Sequence, residues 1–319
     1  MAISQNTLNP APEFVAVDPE RAGQRIDNFL MAYLRGVPRS KVYRILRTGE
    51  VRVNKGRVKP AYRVRAGDVV RIPPLQQSPA PRSQPSDSAR RRVEENIIFE
   101  DAGLIVLNKP AGMAVHGGSG VDFGVIEAMR AARPGARHLE LIHRLDRDTS
   151  GCLMIAKKRS VLRFCHELLR NDGMEKHYQA LCRGRWQGGG RWIDAPLRKS
   201  VLRSGERVVS VCEAGKQAMS RFVPRRRFEE ATLLDVELKT GRTHQIRVHA
   251  VYAGHPLAHD EKYGDRIFNQ WVRSRGLRQL FLHAHRLRLP DYASGEMLEI
   301  EAPLPHVLTK FLETLAPLR

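Results

Sequence analysis

What this 319-residue chain has little of bounds it first. Acidic residues are scarce: 34 Asp and Glu stand against 54 Lys and Arg, a formal net charge of +20. That imbalance points to a polyanionic partner. Cysteine is sparse too, with four residues at 152, 165, 182 and 212, no CxxC pairing and no metal-ligand spacing. This excludes a disulfide-stapled scaffold and a structural zinc site, and predicts reduced, structural thiols. No run free of Asp, Glu, Lys and Arg exceeds about a dozen residues, against the roughly 20 apolar residues that span a bilayer. No membrane span is expected. Met1 to Pro12 carry neither a basic nor an apolar leader segment, so no secretory signal is expected and the cytoplasm is the expected compartment. What is present, 42 % apolar residues over this length, suffices for a buried core and about two domains.

Between Pro73 and Ser88, sixteen residues include five Pro, four Ser and three Gln, a composition that reads as a flexible linker. Ahead of it, residues 21–72 hold 14 Lys/Arg and 3 Asp/Glu, more than half of the chain's excess charge. Ile26, Phe29, Leu30, Tyr33 and Leu34 recur at helical spacing. Ser40 is placed to cap a second helix that carries Val42, Ile45 and Leu46 and stops at Gly49. Short alternating runs follow at 51–53 and 69–72, with turn residues Asn54-Lys55-Gly56 and Gly67-Asp68 between them. Arg39, Lys41, Arg44 and Arg47 cluster around the second helix, whose N-terminal amides would add to their charge in holding phosphates. An ordinary solvated helix face is the bland alternative, and the near absence of acids weighs against it. Residues 25–72 resemble an S4 domain, a small RNA-binding module, which makes Arg39, Lys41, Arg44, Arg47, Lys55 and Arg57 the expected RNA contacts.

Beyond the linker, residues 89–319 carry 39 basic and 27 acidic residues. Strand-like runs at 97–99, 104–107, 153–156 and 232–238 dominate, with helical patterns near 122–133 and 160–171. They do not alternate regularly, so the expected class is α+β with a mixed, largely antiparallel sheet. The resulting division is an extension over 1–20, an RNA-binding domain over 21–72, a linker over 73–88 and a catalytic domain over 89–319.

Four polar clusters could carry chemistry. His143-Arg144-Leu145-Asp146-Arg147-Asp148-Thr149-Ser150-Gly151 lies just ahead of an apolar strand. By themselves, Asp146, Asp148 and Thr149 match the DxDxT arrangement of aspartyl phosphatases, but the first Asp does not end an apolar strand and no later set of magnesium-binding acids is evident. A polar turn in which Asp148, Thr149 and Ser150 bond local backbone is the other reading. Thr240-Gly241-Arg242-Thr243-His244-Gln245-Ile246-Arg247-Val248-His249 follows a second strand, and Arg247 would pair with a carboxylate from another loop, holding it ionised and oriented. His255 and His259 are spaced like a zinc pair, yet Pro256 intervenes and no Glu accompanies them. Asn108-Lys109-Pro110-Ala111-Gly112 bends after a strand but lacks the ending of a phosphate-binding P-loop, and Lys176-His177-Tyr178 is a weak signal alone.

Together the clusters NKPAGMAVHGGSG, HRLDRDTSG, KHY and TGRTHQIRVH, in this order, resemble the RluA-type pseudouridine synthases. The resemblance implies isomerisation of uridine in RNA without cofactor or metal, with Asp146 as the essential carboxylate. It implies Tyr178 as the tyrosine that packs on the base, Arg247 as the arginine that pairs with Asp146, and Arg144 as the side chain that enters the stack when the target base is flipped out. Arg242 and His244 are expected to face RNA. With the S4 module in front, the implied substrate is 23S ribosomal RNA, expected at three uridines, and the expected state is a monomer.

Overall fold

A computed structural model describes residues 11–34, 37–75, 84–118, 121–201 and 206–318. The chain divides into two units, Met1–Arg82 and Ser83–Arg319. In the first, strand β1 (Glu13–Ala16) precedes helices α1 (Ile26–Tyr33) and α2 (Arg39–Arg47) and strands β2 (Arg52–Val53), β3 (Gly56–Arg57) and β4 (Val69–Ile72). The apolar stripe expected on α1 and α2 is buried, Ile26, Leu30, Val42 and Ile45 completely so. These side chains form one core with Val51, Val64, Val70 and Ile72. Asn54 and Lys55 both take positive φ, as a two-residue hairpin turn between β2 and β3 requires.

Three expectations change here. The segment before residue 21 is more than an extension, because β1 pairs antiparallel with β4 and completes a four-stranded sheet in the order β1-β4-β2-β3. Ser40 does not cap α2: the helix starts two residues earlier, at Arg39, with Pro38 in the cap position and no side-chain cap. Of the expected linker 73–88, residues 76–83 lie outside the described residues, and its end is helical. Helix α3 (Asp87–Glu95) begins there, with Ser86 Oγ accepting the Ala89 N–H at 3.2 Å.

The second unit continues through β5 (Ile97–Glu100), β6 (Leu104–Lys109), α4 (Val125–Ala132), β7 (Glu140–Leu141), β8 (Ser150–Ala156), α5 (Arg159–Arg170) and β9 (Glu175–Arg183). Then come β10 (Arg191–Asp194), β11 (Leu197–Val201), β12 (Arg207–Val211), β13 (Met219–Arg227), β14 (Ala231–Leu238), α6 (Gln245–Tyr252), α7 (Arg266–Ser274), β15 (Leu282–Pro290), β16 (Met297–Glu301) and α8 (His306–Glu313). Among the described residues, a ten-stranded sheet runs β10-β13-β14-β9-β15-β8-β6-β5, with β16 beside β15 and β7 beside β8. Every pairing is antiparallel except β15 with β8, so the sheet is mixed and largely antiparallel. Strands β11 and β12 form a separate ribbon.

The one parallel junction positions the site. β15 is wedged between β8 and β9, pairing Ala284 with Gly151 on one side and His283 with Gln179 on the other. Gly151 has φ of +107°, and a Cβ there would lie 2.2 Å from the Ala284 carbonyl oxygen, so only glycine lets the strands close. Every residue of β8 is buried. Apolar clusters cover both halves, one built on β6, β8, α4 and α5, another on Phe222, Leu234, Val236 and Ile246. Cys152, Cys165 and Cys182 are free and buried within them.

Candidate active site

Asp146 stands in the loop between β7 and β8. Leu145 anchors that loop in the core, and the Thr149 N–H closes a turn onto the Asp146 carbonyl at 3.2 Å. Lys109, at the end of β6, is fully buried and donates from Nζ to the carbonyls of Pro110, Met113 and Arg147 at 2.9, 2.8 and 3.0 Å. The Gly112 N–H bonds the Arg147 carbonyl as well. The bend after β6 is thus a brace for the Asp146 loop, with its amine spent on carbonyls rather than free for a phosphate. Burial pulls the Lys109 ammonium down to about 7, against the pull of Asp148 and Asp146.

The second motif supplies the groups that face Asp146, and its other residues hold it in place. Gln245 accepts from Thr240 Oγ1 and the Arg242 N–H, and donates to the Met219 carbonyl and Ser220 Oγ, which ties the start of α6 to β13. His249, fully buried, bonds Ser220 Oγ and the Ala195 carbonyl. With the helix fixed, Arg247 Nη1 lies 3.5 Å and His244 Nε2 3.8 Å from Asp146 Oδ2. Arg247 is not given to Asp146 alone. Its Nε and Nη2 form a bidentate pair with Asp260 at 2.8 and 2.7 Å, and the pair is buried.

Burial opposes charge on both partners. Asp260 nonetheless raises the Arg247 pKa, with Asp146 adding to it, while Arg247 and the N–H groups of Tyr263 and Lys262 hold the Asp260 carboxyl below its usual range. Asp260 carries no signal in the sequence. It is an acid adjoining the histidine pair with zinc-like spacing, and nothing local marks it as the partner of an arginine thirteen positions earlier.

Tyr178 comes from β9, in register with Val236 of β14, and packs against the apolar clusters on both sides. Burial, reinforced by Asp146, raises its pKa, so it is a neutral phenol at physiological pH. Arg144 is exposed at the mouth and Arg242 is exposed with its Nε on the Gln217 carbonyl. A cavity of about 570 Å³ brings together Arg144, Asp146, Tyr178, Arg242 and His244. Arg247 lines a smaller recess that shares Asp146 and Tyr178 with this cavity.

Other expected residues lie elsewhere. His255 bonds the Arg183 carbonyl and packs on Trp186, and His259 bonds Arg273. Asp148 is exposed beside Arg147, and among the described residues no three His, Cys, Asp or Glu side chains converge as metal ligands. Arg39, Arg44, Arg47, Lys55 and Arg57 are exposed and Lys41 half-buried in the first unit, with Arg57 also bonded to the Thr48 carbonyl.

Residues 103–251 match the family model of RNA pseudouridylate synthases, and residues 24–70 match the S4 domain. The chain is 55 % identical to the ribosomal large subunit pseudouridine synthase C of Yersinia pestis, over 95 % of each chain. It is 52 % identical to the protein of that name from Escherichia coli K12, over 97 % of this chain and 98 % of the relative. In fold, it matches human RNA pseudouridylate synthase domain containing 4 with a TM-score of 0.60 at 23 % identity, over 71 % of this chain and 95 % of the other. The chain belongs to the RNA pseudouridylate synthases, and to those that carry an S4 domain.

Proposed function

We propose that this protein isomerises specific uridines of large-subunit ribosomal RNA to pseudouridine, with Asp146 as the catalytic carboxylate acting on a uridine flipped into the cavity. One observation carries the reading: Asp146, Tyr178, Arg144, Arg242 and His244 converge on a single cavity. Relatives more than half identical over nearly the whole chain are named for this activity. The reaction breaks the C1′–N1 bond and joins C1′ to C5. The C5 proton leaves and N1 gains one, so atoms balance within the nucleoside and no co-substrate is consumed.

Asp146 acts at the electron-poor sugar as the glycosidic bond breaks, oriented by Arg247 and His244. The Tyr178 ring packs on the base, and its protonated hydroxyl serves proton transfer. Arg144 fills the stack the uridine leaves. Flipping costs a few kcal/mol and less in a loop or unpaired strand, which favours such sites in a large folded RNA. Arg39, Lys41, Arg44, Arg47, Lys55 and Arg57 hold the RNA backbone from the S4 domain, and Arg242 and His244 line its path at the cavity. The expected targets are three uridines of 23S ribosomal RNA, modified by a cytoplasmic monomer.

Incubation of an unmodified 23S transcript or early large-subunit precursor, followed by carbodiimide mapping, should show pseudouridine at a few discrete positions. Asp146→Ala, folded, should show none. Modification that persists in that variant, or a wild type that releases phosphate and leaves uridine intact, would sink the assignment.

A further inference from the structure

The turn at 260–264 serves the site twice. Its first residue, Asp260, clamps Arg247. Its fourth, Tyr263, places its hydroxyl 2.7 Å from His244 Nδ1, and the same oxygen accepts the Val209 N–H at 3.0 Å. The Tyr263 ring also lies beneath the Arg247 guanidinium, 5.0 Å from it, and edge-on to the His244 imidazole. A phenol has one proton to give. The Tyr263 oxygen already accepts from Val209, and burial raises its pKa and keeps it protonated. Among the described residues His244 Nδ1 is the one acceptor this hydroxyl proton reaches, so the bond is taken as one in which Tyr263 donates and Nδ1 accepts. A neutral imidazole with Nδ1 as acceptor carries its proton on Nε2, the nitrogen that faces Asp146 Oδ2 at 3.8 Å.

We infer that Tyr263 is a positioning residue for the isomerisation: it locks His244 in the Nε2–H tautomer, so that a neutral N–H beside the Arg247 guanidinium faces Asp146 and fixes its orientation. The inference deepens the reading above and rests on Asp146 being the reacting carboxylate. The groups that face His244 are Asp146, Arg247, Lys262, Asp260 and Tyr263. Burial lowers its pKa, with Arg247 and Lys262 acting in the same direction and Asp146 and Asp260 against, so the imidazole stays neutral in the physiological range. A neutral donor steers the carboxylate without adding a second full positive charge to quench it.

Nitrogen-15 spectra of the full-length protein with labelled histidine, assigned with His244→Gln, read the tautomer directly. The expected result is Nε2–H in the wild type and a tautomer mixture in Tyr263→Phe. An Nδ1–H imidazole in the wild type overturns the inference and leaves the role of Asp146 standing, whereas turnover that survives Asp146→Ala overturns both. Kinetics supply a second readout. Tyr263→Phe keeps the ring against Arg247, so kcat should fall about tenfold with KM for the RNA unchanged, the effect of one lost hydrogen bond acting on the chemical step. His244→Gln, whose amide N–H takes the place of Nε2–H, should retain more activity than His244→Asn, whose amide matches Nδ1. Equal losses in those two variants, or a wild-type kcat in Tyr263→Phe, would overturn the inference.

Discussion

Single residues decide how firmly the reacting carboxylate is held, and Lys109 is the clearest case. Its amine is the common donor to three carbonyls from two loops. Lys109→Met keeps the apolar stem but orphans those acceptors, each worth about 1–3 kcal/mol when buried without a partner. Part of that loss is offset because the buried charge is removed as well. A net destabilisation of about 2 kcal/mol in urea unfolding is expected, with reduced turnover because the Asp146 loop loosens. The lysine also leaves a pH signature. Its folded pKa is about 7, below the unfolded value of about 10.4, so between those limits the unfolded chain binds the extra proton and stability rises with pH. The gap between wild type and Lys109→Met should therefore widen from pH 7 toward pH 10. A constant gap would show that Lys109 does not titrate on its own in the fold.

Among the elements, those with apolar periodicity are legible from the residues alone. The runs that read as strands form β5, β6, β8 and β14, and the stripe at 160–171 forms α5. Helix α3 is not legible in this way, since DSARRRVEE buries only Val93 and its polarity matches that of the linker before it. Contacts distant in sequence hold it instead. Arg133, just after α4, forms a two-bond pair with Glu94 of α3 at 2.7 and 2.8 Å and also reaches Glu100 of β5, which accepts from Lys157 at 2.6 Å. Arg133, with help from Lys157, draws the Glu100 carboxyl from its ordinary 4.5 down to about 2. A carboxyl depressed in the fold contributes stability above its unfolded pKa and loses it as pH falls toward the folded value. Glu100→Gln should thus flatten the loss of stability between pH 4.5 and pH 2, measured by denaturant unfolding at each pH. If both proteins lose stability in parallel across that window, the cluster does not hold β5 and α3 as described.

For the whole molecule, the net charge of +20 resolves into two parts with different origins. Residues 21–72 contain only three acids, and two of them are structural. Asp27 is buried against Arg25 and Tyr43, and Asp68 is buried against Asn54 and Tyr62. Within residues 21–72 Glu50 is then the one exposed acid, and the surface of this stretch is more purely cationic than its composition states. Replacing Arg39, Lys41, Arg44 and Arg47 together by Gln should weaken RNA binding. It should also reduce the slope of log affinity against log salt by up to about 3, at roughly 0.7 per phosphate of single-stranded RNA. Turnover at saturating RNA should hold. An unchanged slope would mean that the α2 surface does not carry the phosphate contacts.

The carboxylate and the tyrosine are marked by the order of the four polar clusters and their resemblance to the RluA-type synthases, since residue type and local pattern leave Asp146 open to a phosphatase or turn reading and Tyr178 a weak signal. The sequence also marks Arg247 as the partner of an acid from elsewhere. Which acid it clamps most tightly is not readable: the closest pair is with Asp260, and Asp146 is the more distant partner. Nor is the place of His244, expected as an RNA contact and found between Asp146 and Tyr263. Periodicity reports whether a side chain is buried, and that is a property of its own segment. Partnership in a low-dielectric interior depends on segments about a hundred residues apart being brought within a few ångströms, and here the wedge of β15 between β8 and β9, the pinning of α6 by Gln245 and the turn that presents Asp260 and Tyr263 together do this.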